Sequence, residues 1–362
     1  MRPAKFLPLL FGVLAAGFTS AGCTCNAHPA PPSVSRGDFA ESSSNRAREV
    51  PLGLGQGLGF DDLVYSSEMG KTIAPAGRSN CVALLDPNSL AASNICSGRA
   101  EATAYSGGHD SGLTSADFGA GMVFAVDRSN RAVLALHPST GEVVASAKLA
   151  GSPDYVRWIR KTEDVWVTEP DAESIEVFHW SSGSAPQLIR RRAIQVSGGP
   201  ESLVVDQDSA VAYSHLWKGR TLALDAQTYA ITDTWENGCQ GSRGIALDSE
   251  RHYLFFGCAE GQVGVLDLQH AGRRLGTARC SPRVDLVSVN LRLGHLYAPA
   301  ASDGTLCIFE VSPHGQLTKL GTLSAVRGAH CVANDERGGV WVCDPARGSL
   351  LHFRDPYPPA PR

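Results

Sequence analysis

Beyond residue 50, short runs rich in Val, Leu, Ile and aromatic residues alternate with turns of Asp, Asn, Gly, Pro and Ser. No helical period runs through these segments, so the pattern predicts β-strands joined by tight turns. The clearest unit, Met122 to Gly151, reads as three strands broken by DRSN and by HPSTG. Similar phrases recur, each preceded by a further strand that ends in a charged turn, as in GIALDSERH. The repeating unit is therefore a meander of four strands.

The repeat length predicts the architecture. The residues that begin successive innermost strands are spaced by 47, 42, 40 and 47 positions; they are Asp154, Glu201, Arg243, Arg283 and His330. A four-strand repeat of roughly forty to fifty residues is typical of a β-propeller blade. We therefore predict an all-β fold, a seven-bladed β-propeller of four-stranded antiparallel blades. The blades are expected at about 60–98, 112–151, 152–199, 200–239, 240–280, 281–328 and 329–354.

The last blade contains only three strands of its own. RDPYPPAPR follows them, and its four prolines stop any further ladder. The segment AREVPLGLGQG, Ala47 to Gly57, is left over before the first blade. We expect it to supply the missing outer strand and close the ring, so that the propeller spans 47–354 and a Pro-rich tail spans 355–362.

The N-terminus predicts export. Arg2 and Lys5 precede the apolar run FLPLLFGVLAAGF, which is too short to span a membrane, and small residues lead to Cys23. Residues 1–22 therefore read as a signal peptide. SAGC resembles the bacterial lipobox, in which the cysteine is lipidated, although Ser20 stands where a branched aliphatic residue is favoured. Cleavage without lipidation is the alternative, and residues 23–46 read as a flexible Pro/Ser-rich tether.

These features predict an outer-membrane lipoprotein, facing the periplasm or the cell surface, with a soluble periplasmic or secreted protein as the alternative. No later segment is apolar enough to span a bilayer, so membrane contact is expected only through the anchor. The formal net charge of −4 and the absence of Lys/Arg runs exclude an obvious nucleic-acid footprint. A monomer is expected.

The ten cysteines read as disulfides in an oxidising compartment, because no CxxC or CxxCH motif is present. Cys81 and Cys96 bracket one hairpin, and Cys331 and Cys343 bracket another. Cys239 and Cys258 flank a strand-turn-strand, where a bridge requires the preceding loop to fold back. Cys280 and Cys307 read as the start and the third strand of one blade, so a bridge would have to skip a strand. Their pairing, like that of Cys25, stays open.

The blades resemble the YVTN-repeat (YncE-like) seven-bladed propellers of bacterial envelopes. The matching phrases are GGPESLVVD, GSRGIALDSERHYLFFG, GQVGVLDLQHAG and RAVLALHPSTGEVVASAKLAG. The resemblance covers about residues 60–354 and implies a cysteine pair such as Cys239 and Cys258. Members include binding and scaffold proteins, and related propellers include lactonases, so the resemblance implies a fold more strongly than an activity.

Candidate chemistry lies at the propeller axis, where the residue beginning each inner strand faces the channel mouth. These candidate ligand-binding residues are Asp154, Glu201, Arg243, Arg283, Asp285 and His330. Arg243 and Arg283 suit an anion- or sugar-binding funnel, because guanidinium groups bind carboxylate or phosphate in a bidentate manner. Asp154 and Glu201 alone are too few ligands for a calcium site, so no metal or other cofactor is predicted. A wet, polar channel mouth without a ligand is the plain alternative.

We therefore predict a binding or scaffold module of the bacterial envelope, presenting its loops to a protein, peptide or glycan. The competing class is a lactonase- or lyase-like propeller hydrolase with its site at the channel mouth. That class requires at least three metal-binding or acid/base groups converging at one end of the channel. No catalytic residue is identifiable in the sequence.

Overall fold

The computed structural model describes residues 46–102 and 104–361. The predicted signal peptide, Cys23, Cys25 and the tether up to residue 45 lie outside the described residues. Within the described ranges the chain forms seven antiparallel sheets of four strands each, which confirms the predicted seven-bladed β-propeller. In these ranges no helix has the length and apolar character needed to cross a membrane.

The first four blades are continuous in sequence. Blade 1 consists of β2 (Val64–Ser66), β3 (Lys71–Pro75), β4 (Cys81–Leu85) and β5 (Ala92–Cys96). Blade 2 consists of β6 (Leu113–Gly119), β7 (Met122–Asp127), β8 (Ala132–Leu136) and β9 (Val143–Lys148). Blade 3 consists of β10 (Val156–Ile159), β11 (Asp164–Glu169), β12 (Ser174–Ser181) and β13 (Gln187–Gln195). Blade 4 consists of β14 (Val204–Asp206), β15 (Val211–Leu216), β16 (Arg220–Asp225) and β17 (Ala230–Glu236).

The last three blades complete the ring. Blade 5 consists of β18 (Ser242–Asp248), β19 (Tyr253–Cys258), β20 (Gln262–Asp267) and β21 (Arg273–Arg279). Blade 6 consists of β22 (Ser288–Asn290), β23 (His295–Ala300), β24 (Thr305–Val311) and β25 (Leu317–Ser324). Blade 7 consists of β26 (Val332–Asn334), β27 (Gly339–Asp344), β28 (Ser349–Arg354) and β1 (Arg48–Pro51). Short 3-10 helices occupy Pro170–Ala172 and Leu268–His270.

Blade 7 is closed by the N-terminal strand, as the leftover segment predicts. β1 pairs antiparallel with β28, with Arg48 opposite His352 and Pro51 opposite Ser349. Val50 of β1 and Leu52, which directly follows the strand, are buried in the core that blade 7 shares with blade 1. The two ends of the propeller are therefore joined in one sheet, which removes an open edge from the ring.

The apolar core lies between adjacent blades rather than within one of them. The middle strands β4, β8 and β11 are buried along their whole length, whereas the outer strand β17 is largely exposed. Trp158 of blade 3 stacks on Phe124 of blade 2, with ring centroids 5.4 Å apart. A Cβ at Gly119 would lie 2.1 Å from this indole, so a glycine is required where the two blades meet.

Four disulfides cross-link the described residues. The bridges Cys81–Cys96, Cys239–Cys258 and Cys331–Cys343 form as predicted from their hairpins. Cys81 lies directly opposite Cys96 in the register of β4 and β5. Four bridges indicate an oxidising compartment.

The fourth bridge joins Cys280 to Cys307, a pair that the sequence leaves open. Cys280 directly follows the outer strand of blade 5 and packs with the core between blades 5 and 6. Its Sγ lies 3.6 Å from the carbonyl oxygen of Ala298, the residue paired with Cys307 on the neighbouring strand. The bridge therefore approaches the face of blade 6 from the adjacent blade, and no strand has to be skipped within a sheet.

Candidate functional site

A pocket of about 570 Å³ opens at the end of the channel where the inner strands begin. It is lined by all six residues that the sequence singles out, namely Asp154, Glu201, Arg243, Arg283, Asp285 and His330. Each of them lies at or just before the first strand of its blade, because the repeat places equivalent backbone positions around the axis. The volume is within the range of small-ligand pockets, about 300–1,000 Å³.

The pocket also contains residues that sequence reasoning missed. Asp61 precedes β2 and is the blade 1 counterpart of Asp154, but the poorly strand-like opening of blade 1 concealed it. Tyr105 and His109 lie on the connection from β5 to β6, which spans residues 97–112, whereas the connection from β9 to β10 spans only 149–155. The length of this connection could have pointed to these residues in the sequence, since long loops in compact domains are often functional.

Arg128, on the turn after β7, organises the acidic side of the pocket. Its guanidinium donates to Asp61 Oδ2 at 3.0 Å, contacts the Asp154 carboxylate directly, and donates to the Pro153 carbonyl oxygen at 2.8 Å. It also donates to the carbonyl oxygen of His109 at 3.0 Å. One partly buried guanidinium group therefore connects blades 1, 2 and 3 and the long loop.

His109 fastens the long loop to Asp61. Its Nδ1 lies 3.1 Å from Asp61 Oδ2, and the Asp61 carboxylate raises the pKa of His109 to about 9. Burial acts to raise the pKa of Asp61, but His109 and Arg128 together hold it below its ordinary value. The loop is thus held by an ion pair at neutral pH.

Burial dominates the titration of the other two buried carboxyls. It raises the pKa of Asp154 to about 7, and the contact with Arg128 offsets only part of that increase. Burial also raises the pKa of Glu201 to about 9, with a further contribution from the neighbouring Asp154 carboxylate. Arg243 donates to Glu201 Oε1 at 2.8 Å and lowers that pKa only in part.

Three groups converge closely enough to be considered for a metal ion, namely Asp61, His109 and His330. Asp61 already binds Arg128 and His109. The ring of His330 is held at both nitrogens, with Nδ1 2.7 Å from the Gly328 carbonyl oxygen and Nε2 2.8 Å from that of Phe60. Asp61 is thus bound by Arg128 and His109, and both ring nitrogens of His330 face backbone carbonyls. This donor set does not favour a metal cation.

Arg283 and Arg327 differ from these paired groups. Both are exposed, both line the pocket, and neither guanidinium has a hydrogen bond or ion pair among the described residues. Arg283 also has a φ of 63°, a left-handed conformation that is uncommon for a residue with a side chain. Asp285 is the one predicted carboxylate whose side chain likewise has no partner in the described ranges. The unpaired groups therefore leave a surplus of positive charge.

Comparisons with known proteins identify the fold. No family model matches the chain, and no curated protein matches its sequence. A chain in a crystal structure of the mitotic checkpoint complex aligns with a TM-score of 0.69 and 14% identity, covering 93% of this chain and 98% of that one. The Cps50 (Swd1) β-propeller domain of Myceliophteria thermophila aligns at 0.66 and 9% identity, covering 83% and 97%.

A structure of U3-55K is similar in the same way, with a TM-score of 0.67 and 13% identity over 85% of this chain and 98% of that chain. Identities this low carry no information on ligands or activity. The similarity shows a common architecture, and the chain is a seven-bladed β-propeller.

Proposed function

We propose that this protein is an exported binding module that holds an anionic ligand in the pocket at one end of its channel. The observation that carries the proposal is the pair of exposed, unpartnered guanidinium groups, Arg283 and Arg327, at a pocket whose other arginine, Arg243, already bonds to Glu201. Planar guanidinium groups suit bidentate binding of carboxylate or phosphate.

One of the two arginines that the sequence suggested for anion binding is replaced in this proposal. Arg243 is committed to Glu201 and stacks on Trp217, with its guanidinium carbon 4.4 Å from the ring centroid. The guanidinium of Arg243 is therefore already occupied by contacts within the protein. We assign to Arg327 the anion-binding role that the sequence suggested for Arg243. Arg283 keeps its predicted role.

The experiment is titration calorimetry of the purified protein with inorganic phosphate and with acetate at low ionic strength. Arg283→Gln and Arg327→Gln should each weaken the binding of the anion by about tenfold or more, as loss of a charge-assisted hydrogen bond does. Arg279→Gln is the matched control, because Arg279 is exposed on the outer strand β21 and does not line the pocket. Equal affinities for all three variants would contradict the proposal.

Export and anchoring rest on the sequence of the N-terminus and on the four disulfides. We propose that Cys23 carries lipid and that the propeller acts in the bacterial envelope, in line with its resemblance to YVTN-repeat proteins. Radiolabelled palmitate should be incorporated by the full chain and lost in Cys23→Ser. An unlabelled parent chain would leave the soluble, exported alternative.

A partner protein, peptide or glycan is part of the same proposal. One structural neighbour comes from the mitotic checkpoint complex, which shows a propeller of this shape within a protein assembly. The rigid ring and its loops suit such a role here, and the pocket provides a place for an anionic group of the partner.

A hydrolase is the second candidate, because Asp61, His109 and His330 do converge at the channel mouth. Asp154 also has a pKa near 7, where a carboxyl can serve as a general acid or base. Against this, Asp61 is held by Arg128 and both His330 nitrogens face backbone carbonyls. Turnover of a lactone that is abolished in Asp154→Asn would favour the hydrolase.

A further inference from the structure

The wall of the pocket also contains an exposed indole, that of Trp217. Trp217 lies on the turn between β15 and β16 and is 39% exposed, although most tryptophans of the described chain are buried between blades. Arg243 covers one region of the ring, and both side chains line the pocket. An exposed aromatic residue inside a polar pocket is a feature that ligand binding explains and blade packing does not.

The indole is held rigidly despite its exposure. A Cβ at Gly199 would lie 2.7 Å from Cδ1 of Trp217, so the ring packs closely against Gly199. Gly199 has a φ of 74°, a conformation that glycine adopts without strain. Arg243 is in turn bonded to Glu201 and lies over one face of the ring, so the stacked indole and guanidinium are positioned by contacts within the protein before any ligand binds. Such preorganisation reduces the entropy cost of binding.

The groups beside this surface suit hydroxyls. The carboxyls of Asp154 and Glu201 line the pocket, and burial raises the pKa of both. Carboxyl oxygens accept hydrogen bonds, so both groups can bind the hydroxyls of a ligand. Arg283 and Arg327 line the same pocket and remain available for an anionic group.

We propose that the ligand is an acidic sugar, a pyranose ring bearing one carboxylate or phosphate group. Its ring would pack against the exposed part of Trp217 that Arg243 leaves uncovered, its hydroxyls would bond to the two carboxyls, and its anionic group would bind Arg283 and Arg327. This inference rests on the proposed anion site and adds the chemistry of the rest of the ligand. The pocket volume of about 570 Å³ is suitable for a ligand of this size.

The test compares five probes by titration calorimetry with the full protein: glucuronate, glucose 6-phosphate, glucose, inorganic phosphate and acetate. At least one acidic sugar should bind about tenfold or more tightly than glucose and than the simple anion with the same group. The pair of acidic sugars distinguishes a carboxylate ligand from a phosphate ligand.

Substitutions of Trp217 distinguish the contribution of the aromatic contact to binding from that of the arginine charges. Trp217→Ala should weaken acidic-sugar binding roughly threefold to tenfold, the usual contribution of an aromatic contact, and leave the binding of inorganic phosphate unchanged. Trp217→Phe should retain most of the affinity, and Trp217→Gln, which has no aromatic ring, should show the same loss if the alanine variant does not fold. Ile231→Ala is the matched control, since Ile231 is 42% exposed on the outer strand of the same blade, outside the pocket.

The outcomes distinguish the two proposals. If inorganic phosphate or acetate binds as tightly as the acidic sugars and Trp217→Ala has no effect, the anion site stands and the acidic-sugar inference is wrong. If glucose binds as tightly as glucuronate and glucose 6-phosphate, the inference is also wrong. If no probe binds with a dependence on Arg283, both proposals fail.

Discussion

Removal of the N-terminal strand should destabilise the whole ring. The perturbation is a chain that begins at residue 58 and therefore lacks β1 and Leu52. In the intact protein Val50 and Leu52 are 5% and 3% exposed, and both pack in the core between blades 7 and 1. Burial of one such side chain contributes about 1.5–3 kcal/mol, so the two together contribute about 3–6 kcal/mol.

That loss is large beside the total stability of a folded domain, which is about 5–15 kcal/mol. Truncation also leaves β28 without its partner, since β1 pairs with it over Arg48–Pro51. An exposed strand edge invites pairing with another chain, so we expect aggregation in addition to a lower free energy of unfolding.

The assay is guanidinium-induced unfolding followed by tryptophan fluorescence. Trp341 is buried in blade 7, with its ring centroid 4.6 Å from that of His352, so it reports on the affected sheet. A chain beginning at residue 46 keeps β1 and should unfold like the full protein. In the full chain, Val50→Ala should cost about 2 kcal/mol, whereas Arg48→Ala, at an exposed position of the same strand, should cost little. Identical midpoints for the chains beginning at 46 and at 58 would refute the reasoning.

Three further predictions concern acidity, cross-linking and the tail. Because the fold raises the pKa of Asp154 and Glu201, these groups hold more protons in the folded than in the unfolded chain between about pH 4 and 9. The free energy of unfolding should therefore fall as the pH rises through that range. Glu201→Gln should make this decline less steep, and equal slopes for the variant and the parent would contradict the prediction. Removal of the Cys280–Cys307 bridge by serine substitution should cost about 2–4 kcal/mol, and non-reducing peptide mapping of the parent that found either cysteine free would disprove the pairing. Asp355→Asn should cost about 1–3 kcal/mol and expose the C-terminal tail to proteolysis, because this carboxylate lies 2.7 Å from Nδ1 of buried His295 and accepts a hydrogen bond from Tyr297; a tail as resistant as in the parent would count against it.

Much of the fold was predictable because strand and turn preferences act over a few residues. Repeated strand and turn phrases specified the four-strand unit, its length specified a propeller, and the missing last strand indicated closure by 47–57. Three disulfides followed from hairpins in the same way, since the paired residues are close in sequence. Cys280–Cys307 did not, because it depends on how one blade faces the next.

The sequence also indicated the lining residues that begin the inner strands, because a repeat returns the backbone to an equivalent position in every blade; it did not indicate those on the long loop, such as His109. Only the tertiary structure decided which of these charges are used within the protein. It paired Arg243 with Glu201 and Arg128 with Asp61 and Asp154, contacts between residues 26 to 67 positions apart. It also left Arg283 unpaired. Pairing of this kind depends on distances between neighbouring blades, and no local pattern in a single sequence encodes those distances.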